Sequence, residues 1–115
     1  MKILTSETQY SNTKHVTSSA FVLEGAGEVV EVPTLRAPII TVQVTEAFTG
    51  ELVFEASNTG TDWHPYPLLD ANGAYALSAT APGIWGEAPI GVYFRVRADT
   101  LTAGTPGVAV LTSNA

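Results

Sequence analysis

Asp62, Trp63 and His64 stand in a row, and on an extended strand residues 62 and 64 share one face. A carboxylate beside an imidazole is the raw material of an acid–base pair or of half a metal site. The other histidine is His15, no His-x-x-x-His spacing occurs, and the serines form no recognisable nucleophile elbow. Without a third ligand or a nucleophile, Asp62 and His64 read as polar residues that solvate a strand rim.

The remaining chemistry-bearing groups are carboxylates, aromatics and two arginines. Glu46, Glu51 and Glu55 come closest to paired acids, but glycosidase chemistry needs two carboxyls flanking a cleft, and Glu55 alternates with Phe54 onto an outward face. Asp70, Asn72 and Gly73 bring oxygen ligands of the calcium-binding type close together, although Asp-x-Asn-Gly is more often the chemistry of a tight turn. Trp63, Tyr66, Tyr75, Trp85 and Tyr93 offer π-faces. Trp63, Tyr66 and Trp85 are candidates for stacking a sugar, and the competing reading is that they seal the ends of a core. Arg95 and Arg97 share an outward strand face in a chain short of cations. They are candidates for a subunit contact, with Tyr10 as a third, or for ion pairs within the sheet.

Short strands must position these groups. Residues 1–19 are polar and read as an N-terminal arm that is either disordered or ordered only across a neighbouring subunit. From Ala20 to the C-terminus the chain reads as one β-sandwich domain. Phe21–Leu23 and Glu28–Val32 flank the Gly25-Ala26-Gly27 turn as a candidate hairpin. Ile39–Thr45 alternates Ile40, Val42 and Val44 with Thr41, Gln43 and Thr45. Residues 51–57 alternate in the same way and lead into the Asn58–Thr61 turn. Pro65 and Pro67 confine 62–69 to an edge or an irregular rim. Ala74–Ala79 alternates weakly, and Ala81–Pro89, with two prolines and two glycines, reads as an ordered loop. Gly91–Ala98 turns Val92, Phe94, Val96 and Ala98 inward; Thr100–Gly107 reads as a turn and Val108–Leu111 as a final strand. No helical stripe appears, so the expected fold is all-β: an antiparallel sandwich or jelly roll of about seven to eight strands.

Composition removes several functions. The 115 residues carry a net charge of −6, only 14% are charged, and no Lys or Arg falls between Arg36 and Arg95. Nucleic-acid binding rests on clustered cations, so neither direct DNA or RNA contact nor an anionic membrane surface is expected. There is no cysteine, hence no disulfide framework and no thiolate chemistry. Met1–Leu4 is followed at once by Thr5, Ser6 and Glu7, which leaves no apolar signal core, and no run approaches a membrane span. A weakly charged surface rich in Thr and Ala suits broad contact with other subunits.

The stretches G-E-L-V-F-E-A-S-N-T-G-T-D-W (50–63), G-I-W (83–85), V-Y-F-R-V-R-A (92–98) and G-V-A-V-L (107–111) together resemble a pattern in small β-sandwich structural proteins of tailed bacteriophages. The resemblance covers about residues 40–112. Thr59 departs from it by standing where such proteins often have Asp, and residues 64–90 are not typical. It implies a virion protein, made in a host cytoplasm, with no enzymatic activity, catalytic residue, metal or other cofactor. In particular it implies a capsid decoration protein bound across neighbouring major capsid subunits as a homo-oligomer, a trimer being one such form. The alternative within the resemblance is a tail or fibre-base accessory protein; the rival from the aromatic residues is a carbohydrate-binding module using Trp63, Tyr66 and Trp85.

Overall fold

The computed structural model describes the backbone of residues 3–5, 7–11, 14–34, 39–87 and 91–113, and the side chains of 21–34, 39–87 and 91–112. The strands are β1 (Ile3–Thr5), β2 (Glu7–Ser11), β3 (Lys14–Val22), β4 (Val29–Pro33), β5 (Ile39–Thr45) and β6 (Thr49–Ser57). They continue as β7 (His64–Pro65), β8 (Leu68–Asp70), β9 (Tyr75–Ala76), β10 (Ser78–Ala79), β11 (Gly83–Glu87), β12 (Tyr93–Ala103) and β13 (Gly107–Ser113). Eight of them have five residues or more, in agreement with the expected all-β sandwich; the others are two- or three-residue pieces.

Two sheets face each other. The front sheet runs β1-β4-β12-β6-β10, with β7 also on β6, and the back sheet runs β2-β3-β13-β5-β11-β8-β9. Pairing is antiparallel apart from β1 on β4. Period-2 alternation places one side of each sheet in the core. Val30, Val32, Leu52, Phe54, Phe94 and Val96 from the front sheet meet Ile40, Val42, Val44, Leu68, Val108 and Val110 from the back, all fully or almost fully buried. Burying each such side chain contributes about 1.5–3 kcal/mol. This is the layer that holds the two ribbons together.

The structure differs from the sequence reading in three places. Phe21–Leu23 and Glu28–Val32 do not form a hairpin. The Gly25–Gly27 link instead carries the chain from the back sheet to the front, with Leu23 N–H donating to Pro106 O and Gly27 N–H to Ala98 O. Ala81–Pro89 is not a loop throughout, because Gly83–Glu87 is strand β11, paired with β5 and β8. β12 continues past Ala98 to Ala103 by absorbing irregularities in its register with β6, so the turn before β13 shrinks to Gly104–Pro106. Where the polar segment 1–19 is described, its backbone runs as β1, β2 and the first part of β3, paired into both sheets of the same chain.

Candidate functional site

The charged groups converge on the outer face of the front sheet. The register that pairs Phe54 with Val96 in the inward row pairs Glu55 on β6 with Arg95 on β12 in the outward row. Arg95 Nε donates to Glu55 Oε1 at 2.8 Å, and Arg97 donates through Nε to Oε1 at 3.0 Å and through Nη2 to Oε2 at 3.2 Å. Arg97 Nη1 also reaches Asp99 Oδ1 at 2.9 Å. The Arg95 guanidinium lies 4.2 Å from the Trp63 ring centroid, a cation–π contact. Glu55 is 8% exposed. Burial pushes its carboxyl up, but the hydrogen bonds and charges of Arg97 and Arg95 outweigh that and hold it below the usual glutamate value. The cluster is a closed ion-pair network. Of the arginines named as candidate subunit contacts, Arg95 is engaged within the sheet through Nε and Arg97 through Nε, Nη1 and Nη2.

The other acids do not join it. Glu51 accepts a hydrogen bond from Ser78 Oγ at 2.8 Å, and Glu46 is exposed at the β5–β6 turn with a φ of 70°. Asp62 lies in the turn before β7, not on a strand face with His64. That turn is built from hydroxyls. Ser57 Oγ accepts from the N–H groups of Thr59 and Gly60, and Thr59 Oγ1 from those of Thr61 and Asp62. Thr59 thus supplies the acceptor that an Asp would supply. Asp70 Oδ1 accepts from the N–H groups of Asn72 at 2.8 Å and Ala74 at 2.9 Å, so this carboxylate is engaged in closing the β8–β9 turn.

The three aromatics named for glycan stacking are not brought together. Tyr66 is buried edge-on to Phe94, with ring centroids 6.3 Å apart, and Trp85 packs on Phe54 at 5.6 Å. Tyr66 belongs to the core and Trp85, half-buried, packs against it, whereas Trp63 lies with Arg95 on the outer side of the front sheet. The side chain of Tyr10 lies outside the described residues. A pocket of about 370 Å³ opens where Ala56, His64, Pro65, Tyr66 and Pro67 meet. Among the described residues no group of three or more His, Cys, Asp or Glu is placed to hold a metal, and no helix is long and apolar enough to cross a membrane.

The sequence reading missed the outer face of the back sheet. One row of register partners crosses five strands as Leu111, Thr41, Gly86, Leu69 and Tyr75, and the next row holds Ala109, Gln43 and Ile84. Ile39, Thr45 and Val22 extend the same face. Of the six exposed large hydrophobic residues among those described, five (Val22, Ile39, Tyr75, Ile84 and Leu111) lie here; Leu77 is the exception. None of these positions carries a charge; the first row continues in register through Ser18 on β3 to Glu7 on the β2 edge. Glu87 sits at the rim and accepts a hydrogen bond from the Tyr75 hydroxyl at 2.8 Å. The signal was present in the sequence as uncharged residues at the outward positions of 39–45 and 107–111.

No protein-family description matches the chain, and no curated protein matches it in sequence. Solved structures do match. The SPBc2 prophage-derived protein YomS superposes with a TM-score of 0.68 at 15% identity, over 85% of this chain and 94% of that one. The PBSX exported protein XepA superposes with a TM-score of 0.69 at 17% identity, over 85% of this chain but 38% of the longer XepA. At these identities the likeness is one of fold.

Proposed function

We propose that this protein is a non-enzymatic structural component of a tailed-phage particle, working by adhesion as a capsid decoration protein bound across neighbouring shell subunits. The observation that carries this reading is the broad, uncharged, aliphatic outer face of the back sheet. Exposed apolar area gathered on one side of a small domain marks a surface made for contact with protein. The strand pattern shared with phage structural proteins and the fold shared with a prophage-derived protein support the same reading. The ion-pair network on the front sheet fits it as well, because its charges are matched within the chain and serve to stiffen the scaffold.

The test is on particles. Phage particles produced from the genome that encodes this chain should carry it in a fixed ratio to the major capsid protein. Shells lacking it should lose heat resistance and regain it when purified protein is added. Particles devoid of the chain would overturn the proposal; its presence only in tails would move it to a tail accessory.

A further inference from the structure

We infer that the outer face of the back sheet pairs with the same face of a second copy about a two-fold axis. This deepens the adhesive reading above and rests on it for purpose: the face is spent between copies, so the pair meets the shell through its remaining surface, and its test is independent. A two-fold contact uses one patch twice, so the patch must be complementary to itself in both charge and shape.

Charge complementarity favours this face. Each chain carries a net charge of −6, so two copies repel wherever their acids meet. The front sheet presents Glu31, Glu55 and Asp99 outward among its arginines, whereas the back-sheet positions Thr41, Gln43, Ile84, Gly86, Ala109 and Leu111 present none. Over these positions two back sheets oppose no like charges.

Shape complementarity comes from one strand. Ile84 is 51% exposed and stands up from β11, and two residues on, on the same side, Gly86 has no side chain. Over Gly86 lies a hollow of about 200 Å³ bordered by Thr41, Leu69 and Ile84, with Asp70 at its edge. The Asp70 carboxylate is already engaged by the N–H groups of its own turn. The hollow is shallow and open, and a Cβ on Gly86 would already lie 3.4 Å from Thr41 Cγ2, so it receives the tip of an aliphatic side chain without enclosing it. A projection beside a hollow is what a two-fold pairing requires: Ile84 of each copy enters the hollow over Gly86 of the other. Strands β3, β13, β5, β11 and β8 span about 500 Å² in flat projection. That lies below the roughly 800 Å² per partner of a standard stable interface, so the expected dimer is weak and concentration-dependent.

Sedimentation velocity of the full chain, up to about 100 µM, tests the inference. The expected result is a concentration-dependent species of twice the 12.1 kDa chain mass. Ile84→Asp and Leu111→Asp, both at exposed positions, should weaken it at least about tenfold with unchanged circular dichroism, while Leu77→Asp should not. A monomer throughout, a trimer, or a dimer indifferent to Ile84→Asp would overturn the inference. A monomer whose Ile84→Asp variant no longer binds shells would assign the face to a shell protein and leave the proposed function standing. A dimer absent from every particle would do the reverse.

Discussion

Glu55 and Arg95 face each other across the two central strands of the front sheet, Oε1 to Nε at 2.8 Å, and Arg97 grips the same carboxylate from one pleat along. A single acid thereby binds two cations at a place where the sheet partly shields all three from water, and Asp99 on Arg97 balances the second charge. Removing one member of such a group leaves the others partly buried and unmatched, which is worse than removing them all.

Glu55→Gln should therefore destabilise the fold by about 2–3 kcal/mol, read as a lower denaturant midpoint with an unchanged slope. A loss below about 0.5 kcal/mol would mean that the network behaves as an exposed surface pair.

The same carboxyl predicts a pH dependence. Its value in the folded chain is held below the ordinary glutamate value, so its contribution is fully present above the unfolded-state value and is lost as pH falls through the folded one. Denaturant midpoints should drop between neutral and acidic pH by more in the wild type than in Glu55→Gln. Parallel profiles for the two would remove Glu55 as the cause.

Gly104 has a φ of 87°, and a Cβ there would sit 2.6 Å from Ala47 O and 2.8 Å from Phe48 Cα. The β12–β13 turn thus packs directly on the β5–β6 turn. Gly104→Ala should cost about 2 kcal/mol or more through both backbone strain and the clash, whereas Gly73→Ala, with open space around it, should show strain alone. Equal melting temperatures for the two variants would count against the close packing.

Asp70→Ala should lower stability by about 1 kcal/mol through loss of the two turn hydrogen bonds. Adding calcium to the wild type should leave its melting temperature unchanged. A calcium-dependent rise abolished by Asp70→Ala would restore the metal reading of this turn.

Trp63→Ala should cost about 1 kcal/mol, the worth of its contact with Arg95. Trp85→Ala should cost about 3 kcal/mol, the low end for a core aromatic, because its half-buried ring packs against Phe54. Similar small losses for both would place Trp85 at the surface.

The chain by itself determined which elements exist wherever burial alternates cleanly. Ile40, Val42 and Val44, and again Phe94, Val96 and Ala98, announce their inward faces because a strand buried on one side needs an apolar residue at every second position. Turn chemistry was legible too, at Asn58–Thr61 and at Asp70–Gly73, since these side chains and glycines act on their own backbone. Strand β11 was not legible. Two glycines around Trp85 give no alternation, and the segment is extended only because β5 and β8 supply hydrogen-bond partners on both sides. The pairing of Glu55 with two arginines about forty residues away, and the gathering of Ile84, Leu111, Leu69 and Tyr75 onto one uncharged face, depend on strand order and register. Those are long-range choices made by core packing, and only the tertiary structure decides them.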